Sequence, residues 1–242
     1  MKRAVVTGST KGIGYAIALH LMEKGCEVIM NYSNDDISAR QASENLDKLG
    51  YKGKYKIIKA DLSSIDGLKE FEKNLDLKNE KIDYLILNTA ITKRGSLSDI
   101  TIEDWEHVIT TNLTVPLFMV KLLQDNIREN GCILFIGAVM GQFPHAMSIS
   151  YGTSKAAIHY LTKSLVKEFE EKCVRVNCVA PGFVETPWQK NKPEEIRKSI
   201  ESKIALHRFA KPEEVAHIAY SVLENPYMNG SIVNIDGGYC YK

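Results

Sequence analysis

Two residues four apart set the chemical question: Tyr151 and Lys155, in the run Tyr151-Gly152-Thr153-Ser154-Lys155. On a helix that begins near Tyr151 the two side chains share a face. A phenol with a pKa of about 10 is a poor acid or base at neutral pH. A neighbouring ammonium favours the phenolate and lowers that value. Such a tyrosine can give its proton to a carbonyl oxygen while a hydride reaches the carbon. The spacing alone is a weak signal, because most Tyr-x-x-x-Lys pairs are surface side chains.

A hydride needs a donor, and the turn Thr7-Gly8-Ser9-Thr10-Lys11-Gly12-Ile13-Gly14 offers a place for one. It follows a strand-like run and opens a helix-like one. Glycine permits the tight turn and lets a phosphate approach the backbone, and the helix N-terminus adds unpaired N–H groups and a positive dipole end. The spacing is Gly-x-x-x-Gly-x-Gly, not Gly-x-Gly-x-x-Gly, and a strand-turn-helix glycine set is often only structural. The second strand candidate ends Met30-Asn31-Tyr32-Ser33-Asn34. An acid there would bind the ribose 2′-hydroxyl of NAD and repel the 2′-phosphate of NADP. Asp35 and Asp36 lie further on, where the next helix starts. Lys11 supplies a positive charge, and Ser9, Ser33 and Asn34 supply hydrogen bonds. The expectation is NADP(H), against a pocket that accepts both cofactors.

The elements that must position these groups alternate. Apolar, Val- and Ile-rich runs at 3–7, 27–31, 55–60, 83–88, 132–137, 174–179 and 231–235 read as strands. Amphipathic segments at about 12–24, 35–49, 64–75, 102–128, 152–171 and 212–224 read as helices. Strands buried on both faces are near-continuous apolar runs, as in Tyr84-Leu85-Ile86-Leu87. This pattern predicts an α/β fold: a doubly wound, parallel, seven-stranded, Rossmann-like sheet in a single domain over 1–242. Ser63 and Ser64 suit a helix N-cap, and Gly25 and Gly50 sit where helices should end. The stretch 182–211 lacks a strand and carries a helix-like run at 193–203, which reads as a lid or substrate loop.

The rest of the composition excludes alternatives. The formal net charge is +1 without a basic block, so nucleic acid is not the expected partner. No signal-peptide pattern or membrane-spanning apolar run is present, and the expected location is the cytoplasm. The sequons Asn112-Leu113-Thr114 and Asn229-Gly230-Ser231 then read as chance. Cys26, Cys132, Cys173, Cys178 and Cys240 form no Cys-x-x-Cys pair and read as small buried residues. The six histidines lack ligand spacing, so no metal is expected.

Taken together, Thr7–Gly14, Asp61-Leu62, Asn88, Thr111-Asn112-Leu113, Tyr151-x-x-x-Lys155, Arg175-Val176-Asn177, Pro181-Gly182 and Asp236-Gly237-Gly238 resemble the short-chain dehydrogenase/reductase family over essentially the whole chain. The likeness is greatest to its 3-oxoacyl-(acyl-carrier-protein) reductase branch. The resemblance implies adenine contacts from Asp61 and Leu62, a cofactor border at Asn88, and nicotinamide amide contacts from Val184 and Thr186. It implies that Lys155 holds the nicotinamide ribose as well as tuning Tyr151. Asn112 would kink its helix and hold a water that passes protons to Lys155. A homotetramer is implied, with Tyr160 at one interface.

Two positions depart from the family pattern. Its Asn-Asn-Ala-Gly aligns with Leu87-Asn88-Thr89-Ala90, adding a methyl near the cofactor. Its catalytic serine aligns with Ala138, in Gly137-Ala138-Val139-Met140-Gly141. That serine orients the substrate carbonyl and stabilises the developing oxyanion. Ser148, Ser150 and His145 are nearby in sequence and are candidate replacements. Two functions follow: a reductase acting on a carbonyl/alcohol pair, or a cofactor-binding sensor or assembly partner with little turnover. An acidic acyl carrier protein would need a basic docking surface. Arg128 and Lys172 stand beside Glu129, Glu170 and Glu171, so a small ketone, diketone or sugar-like substrate is as good a reading.

Overall fold

The computed structural model describes residues 1–77, 80–144 and 148–241. Seven strands form one sheet: β1 Arg3–Val6, β2 Glu27–Tyr32, β3 Tyr55–Lys59, β4 Ile82–Leu87, β5 Ile127–Ile136, β6 Arg175–Pro181 and β7 Ile232–Ile235. Their order is β3-β2-β1-β4-β5-β6-β7, and every pairing is parallel. The chain winds outward from β1 to β3, then crosses back to β4. That reversal opens a crevice beyond the C-terminal ends of β1 and β4, where open α/β sheets bind ligands. Val6 is level with both Met30 and Ile86, so Thr7, Asn31 and Leu87 emerge at one edge.

Helices cover both faces because each presents one apolar stripe. Helices α1 (Gly12–Glu23) and α8 (Pro212–Glu224) bury Ile17, Leu21, Val215 and Val222 on one side of the sheet. Helices α3 (Ile65–Leu75), α5 (Val115–Leu123) and α6 (Ile149–Glu168) bury Phe71, Met119 and Ile158 on the other. Helix α2 (Asp36–Lys48) is capped by Asp35, which accepts from the Ser38 N–H at 3.0 Å. Ser64 caps α3, accepting from the Gly67 N–H at 3.1 Å. Gly25 and Gly50 take the left-handed conformation after α1 and α2, as their positions led us to expect.

One expected helix is interrupted. The segment 102–128 divides into α4 (Ile102–Ile109), a π-helical turn over Thr110–Thr114, and α5, which ends at Leu123. Pro116 has no N–H to return to the Asn112 carbonyl, and the Val115 N–H reaches back to the Thr110 carbonyl instead. Apolar Ile127, which extended the apparent helix, is the first residue of β5 and pairs with Ile82.

The 182–211 excursion leaves and rejoins the fold at a bridge between Val184 and Ala210. It contains a 3-10 turn, Pro187–Gln189, and helix α7, Glu194–Glu201. Ile200, Ile204, Phe183 and Phe209 of this region pack with Val139 and Tyr239 in a third, smaller core. Val139 follows Ala138 directly, so the excursion and the Ala138 loop share one packing unit.

Several motif residues hold the frame rather than a ligand. The Arg175 guanidinium donates to the carbonyls of Val222, Leu223 and Met228, which closes the C-terminal end of α8. Asn177 donates to the Met228 carbonyl and accepts from the Ser231 N–H, setting the entry of β7. Of the cysteines, Cys26, Cys132 and Cys178 are buried as expected, whereas Cys173 is exposed and Cys240 half-buried. Among the described residues no helix is long and apolar enough to cross a membrane, and no group of three or more His, Cys, Asp or Glu could hold a metal ion.

Candidate active site

The glycine turn is built from three sides. Gly8 and Gly12 sit at φ of 58° and 59°, a region that favours glycine. A β-carbon on Gly14 would lie 2.4 Å from the Gly8 carbonyl oxygen and 2.6 Å from Asn88 Nδ2. Asn88 donates to the carbonyls of Thr7 and Gly8 at 3.0 and 2.9 Å, tying the end of β4 to the turn. Asn31, at the end of β2, accepts from the Gly8 N–H at 3.2 Å and donates to the Ala60 carbonyl at 3.0 Å. Lys11 occupies the α1 N-cap position without a capping side-chain hydrogen bond. The first-turn N–H groups of α1 are thus left to a ligand, which is the donor set a phosphate takes. Thr89 Oγ1 is buried without a partner among the described residues and lies 3.0 Å from where a Gly8 β-carbon would stand. The close-approach glycines, uncapped helix end and orphaned hydroxyl fit a dinucleotide.

The residues expected around that ligand do not all face it. Ser9 is fully buried; its hydroxyl donates to the Val6 carbonyl and accepts from the Asn31 N–H. It therefore braces β1 against β2 and has no proton left for a phosphate. Leu62 is 2 % exposed, within the core around Phe71. Asp61 is exposed and accepts from the Ser63 N–H. Ile13 packs on the α1–α8 core. Ser33 is half-buried at the crevice edge. Thr186 sits over Gly12, its Cγ2 3.5 Å from the position of a Gly12 β-carbon, and Val184 is buried at the neck of the excursion. Lys11 is not a free cation: its ammonium pairs with Asp35 at 2.6 Å. That pairing, with the Ser38 hydrogen bonds, holds the Asp35 carboxyl well below the usual carboxylate range.

Tyr151 and Lys155 come together on the first turns of α6, with the Lys155 ammonium 5.6 Å from the Tyr151 ring centroid. Ser154 donates to the Tyr151 carbonyl at 2.7 Å and accepts from Asn112 Nδ2 at 3.0 Å. Asn112 also accepts from the Ile91 N–H and donates to the Ile91 carbonyl, at 2.8 and 2.9 Å. One buried side chain therefore fixes both α6 and the loop after β4, and the π-turn is what points it there. Lys155 is 3 % exposed and donates to the Ile136 carbonyl at 2.7 Å. Burial pushes its pKa down to about 8. Burial also pushes the Tyr151 phenol above its ordinary value. The ammonium does not offset that rise, because it is turned to the Ile136 carbonyl. Trp188, from the 3-10 turn of the excursion, meets the Tyr151 ring edge-on at 6.3 Å.

Ala138 is buried at the start of a 3-10 turn, Val139–Gly141. Ser148 and Ser150 are buried beside Tyr151, and Ser148 bridges to Gly95; His145 lies outside the described residues. The spacing-based reading missed His159, four residues beyond Lys155 and thus on the same helix face. A β-carbon on Gly137 would stand 2.5 Å from His159 Nε2 and 2.6 Å from Cys178 Sγ. The imidazole fills the space under the Ala138 loop, and neither of its nitrogens has a partner among the described residues. Burial, then the charges of Lys155 and Lys163, push its pKa down to about 4.

A folded value below the unfolded one means the unfolded chain binds the extra proton first, so stability falls as pH drops from about 6.5 towards 4. At pH 5 this amounts to roughly 1–2 kcal/mol by the linkage relation. His159→Leu should therefore flatten the decline in Tm between pH 7 and pH 5. An unchanged decline would show that the imidazole is charged or solvated in the folded state.

Comparison with known proteins agrees with this geometry. The family model described as Enoyl-(Acyl carrier protein) reductase matches residues 8–240. The chain is 35% identical over 246 residues to the 3-oxoacyl-(acyl-carrier-protein) reductase FabG of Thermotoga maritima, covering 98% of this chain and 97% of that protein. It is 33% identical over 247 residues to glucose 1-dehydrogenase 2 of Bacillus subtilis, covering 98% and 94%. Among solved structures, a short chain dehydrogenase from Burkholderia cenocepacia in complex with NADP superposes with a TM-score of 0.90 at 26% identity, covering 99% of this chain and 98% of that one. The RhlG/NADP active-site complex of Pseudomonas aeruginosa superposes at 0.89 with 27% identity, covering 98% and 96%. With residues 8–240 matched by the family model and its Tyr-Lys pair set beside the C-terminal end of β5 in a Rossmann-like sheet, the chain belongs to the short-chain dehydrogenase/reductase family of oxidoreductases.

Proposed function

We propose that the protein is an NADP(H)-dependent reductase or dehydrogenase that interconverts a carbonyl and a secondary alcohol, with Tyr151 as proton donor and acceptor. The observation that carries this reading is the support of the Tyr-Lys pair: buried Asn112 donates to buried Ser154, which donates to the Tyr151 carbonyl, and buried Lys155 on the same helix donates to the Ile136 carbonyl at the end of β5. Bound NADPH would supply the hydride. Gly12, Ile13 and Gly14 would hold its diphosphate by backbone N–H groups, Gly8 would let it approach the turn closely, and Thr89 and Thr186 would offer hydroxyls. Ser33 and Lys11 would meet its adenosine end. Because burial raises the phenol pKa, Tyr151 rests protonated at neutral pH, the form that donates to a carbonyl oxygen. Lys155, at about 8, holds and releases a proton within the working range and is the group placed to restore the phenol. Trp188 of the excursion meets the Tyr151 ring edge-on, and closing over bound substrate it would exclude water.

The test is NADPH oxidation across small ketones, diketones and sugar-like carbonyls. Turnover of none of them, with cofactor still bound, would favour a sensor or assembly partner. An acyl carrier protein fits less well than a small substrate. Arg128 is paired with Asp83 at 3.1 Å and Lys172 with Asp125 at 2.8 Å, which neutralises both candidate docking cations.

NADPH should bind at least about tenfold tighter than NADH, since no acid stands at the end of β2 to repel the 2′-phosphate. Asp35, however, competes for Lys11. Asp35→Asn should widen the preference and Lys11→Ala should narrow it, both more at low salt. Fluorescence titration of the two cofactors reads this directly, and equal affinities would refute the charge argument.

A homotetramer is the assembly we propose, supported by Tyr160 on α6 and Phe118 on α5, 76% and 43% exposed. Light scattering at micromolar concentration would show a monomer if the reading is wrong.

A further inference from the structure

We infer that Trp188 is a specificity-determining residue, its indole the wall against which a flat, apolar carbonyl compound such as an aryl ketone lies beside Tyr151. This rests on the reductase reading and names the class of substrate that the site takes.

Contacts on two sides place the indole. The 3-10 turn Pro187–Gln189 is closed by the Gln189 N–H on the Thr186 carbonyl at 2.9 Å and the Lys190 N–H on the Pro187 carbonyl at 3.2 Å. One side of this turn is seated on the glycine turn: Thr186 Cγ2 and Pro187 Cδ lie 3.5 and 3.8 Å from where a Gly12 β-carbon would stand. The other side reaches Tyr151, with the two ring centroids 6.3 Å apart and their planes at 70°. The turn thus spans from the phosphate cradle to the phenol, the interval in which a hydride donor and a carbonyl must meet. An edge-to-face contact covers little of either ring, and Trp188 is left 53% exposed. An open aromatic surface next to an acid-base group is one that a ligand can cover.

The polar groups that support Tyr151 point to the same class, because they are engaged with one another. Asn112 spends its amide on Ile91 and Ser154, Ser154 also donates to the Tyr151 carbonyl, and Lys155 donates to the Ile136 carbonyl. Ala138 brings a methyl where the family pattern has a hydroxyl. Ser148 and Ser150, buried beside Tyr151, can serve one carbonyl oxygen but not the run of hydroxyls on a polyol. A hydroxyl-rich compound entering here would give up water and leave hydroxyls unpaired. A flat apolar ring instead gains burial and an aromatic partner. A second exposed aromatic, Phe143, stands at the end of the Ala138 loop, its N–H donating to the Val139 carbonyl at 2.9 Å. That loop lies against α6 next to Tyr151: the Met140 carbonyl oxygen is 3.1 Å from where a Gly152 β-carbon would stand.

The indole could instead lie on the cofactor, and the experiment separates the two roles. Acetophenone is compared with cyclohexyl methyl ketone, of similar size but not flat, and with hydroxyacetone, in the wild type, Trp188→Phe and Trp188→Ala. Trp188 is exposed, so both variants should fold normally. Each kcat/KM ratio is compared between proteins, so the intrinsic reactivities of the ketones cancel. Trp188→Ala should lower the ratios of acetophenone to both other ketones by about tenfold, chiefly through KM, and Trp188→Phe should keep most of each ratio. The Kd for NADPH should stay within about twofold. Equal losses on all three ketones would mean that the indole only excludes water, which overturns the inference and leaves the reductase reading intact. A fall against hydroxyacetone alone overturns the flat-ring assignment. A weaker NADPH Kd with the ratios intact assigns the indole to the cofactor and also overturns it. If none of the ketones is turned over, saturation-transfer NMR on the NADPH complex decides. Transfer to the acetophenone ring protons that weakens in Trp188→Ala sustains the wall while the reductase reading fails. No transfer, or equal transfer in both proteins, overturns the wall.

Discussion

Tyr151→Phe should lower kcat by at least about 10³-fold, within the range that a positioned acid-base group contributes, and leave the Kd for NADPH within about twofold. The phenol hydroxyl is the only part removed. The ring still packs against Trp188 at the edge of the excursion, and α6 keeps its Asn112–Ser154 brace. Cofactor binding is assigned to the glycine turn, Thr186 and Lys155, none of which the substitution touches. Lys155→Ala should act differently. It removes a buried cation that donates to the Ile136 carbonyl, and with it the proposed ribose contact and proton reservoir, so kcat and cofactor affinity should fall together. The comparison of the two variants therefore separates chemistry from binding. A Tyr151→Phe protein with full activity would remove Tyr151 from the proton path and return attention to Ser148 and Ser150.

Much of the site was legible in the sequence because its signals are local. The Tyr-x-x-x-Lys spacing, the glycine turn and the apolar strand runs each occupy a few consecutive residues, and elementary geometry converts them into a helix face, a phosphate cradle and a parallel sheet. The seven strands, their parallel pairing and the single-domain fold follow from that reading. What escaped it depends on contacts between residues far apart in the chain. The Lys11–Asp35 pair joins the glycine turn to the cap of α2, and no spacing rule reveals that the expected phosphate-binding cation already has a partner. Ser9 and Asn88 are polar residues in a binding motif, yet their hydrogen bonds run to Val6, Thr7 and Gly8 and hold the turn in shape. The overrun of the 102–128 helix has a local cause: apolar periodicity continued into Ile127, while the π-turn is set by Asn112 and Pro116 together. His159 could have been found, since Tyr151, Lys155 and His159 recur every four residues on α6. A histidine on the inward face of a helix beside a buried lysine is a signal in itself.

Ala138→Ser should raise kcat by about 10- to 100-fold if Tyr151 is the only donor to the substrate oxygen. The scale is set by the 10²–10³-fold loss on removing one oxyanion donor, measured in another enzyme, discounted because this site has not been selected around the hydroxyl. The local structure is ready for it. Ala138 is the N-cap of the 3-10 turn Val139–Gly141, with extended backbone and the Gly141 N–H donating to its carbonyl at 2.9 Å. Serine is favoured at such a position because its oxygen accepts from an N–H of the first turn. The position is 6 % exposed, so an introduced hydroxyl needs a partner, and the cap supplies one while leaving the hydroxyl proton for the substrate. Capping adds about 1 kcal/mol, and Tm should hold or rise. The space beneath is already filled by His159 and Cys178 under Gly137, which keeps the loop from sinking away from the crevice. If kcat is unchanged in an active enzyme, a donor already occupies that role. Ser148→Ala and Ser150→Ala, measured singly, would then identify it by a loss that Ala138→Ser restores. Turnover that appears only in Ala138→Ser would mean that the natural chain binds its cofactor without using it, and the sensor or assembly reading would stand in place of the reductase.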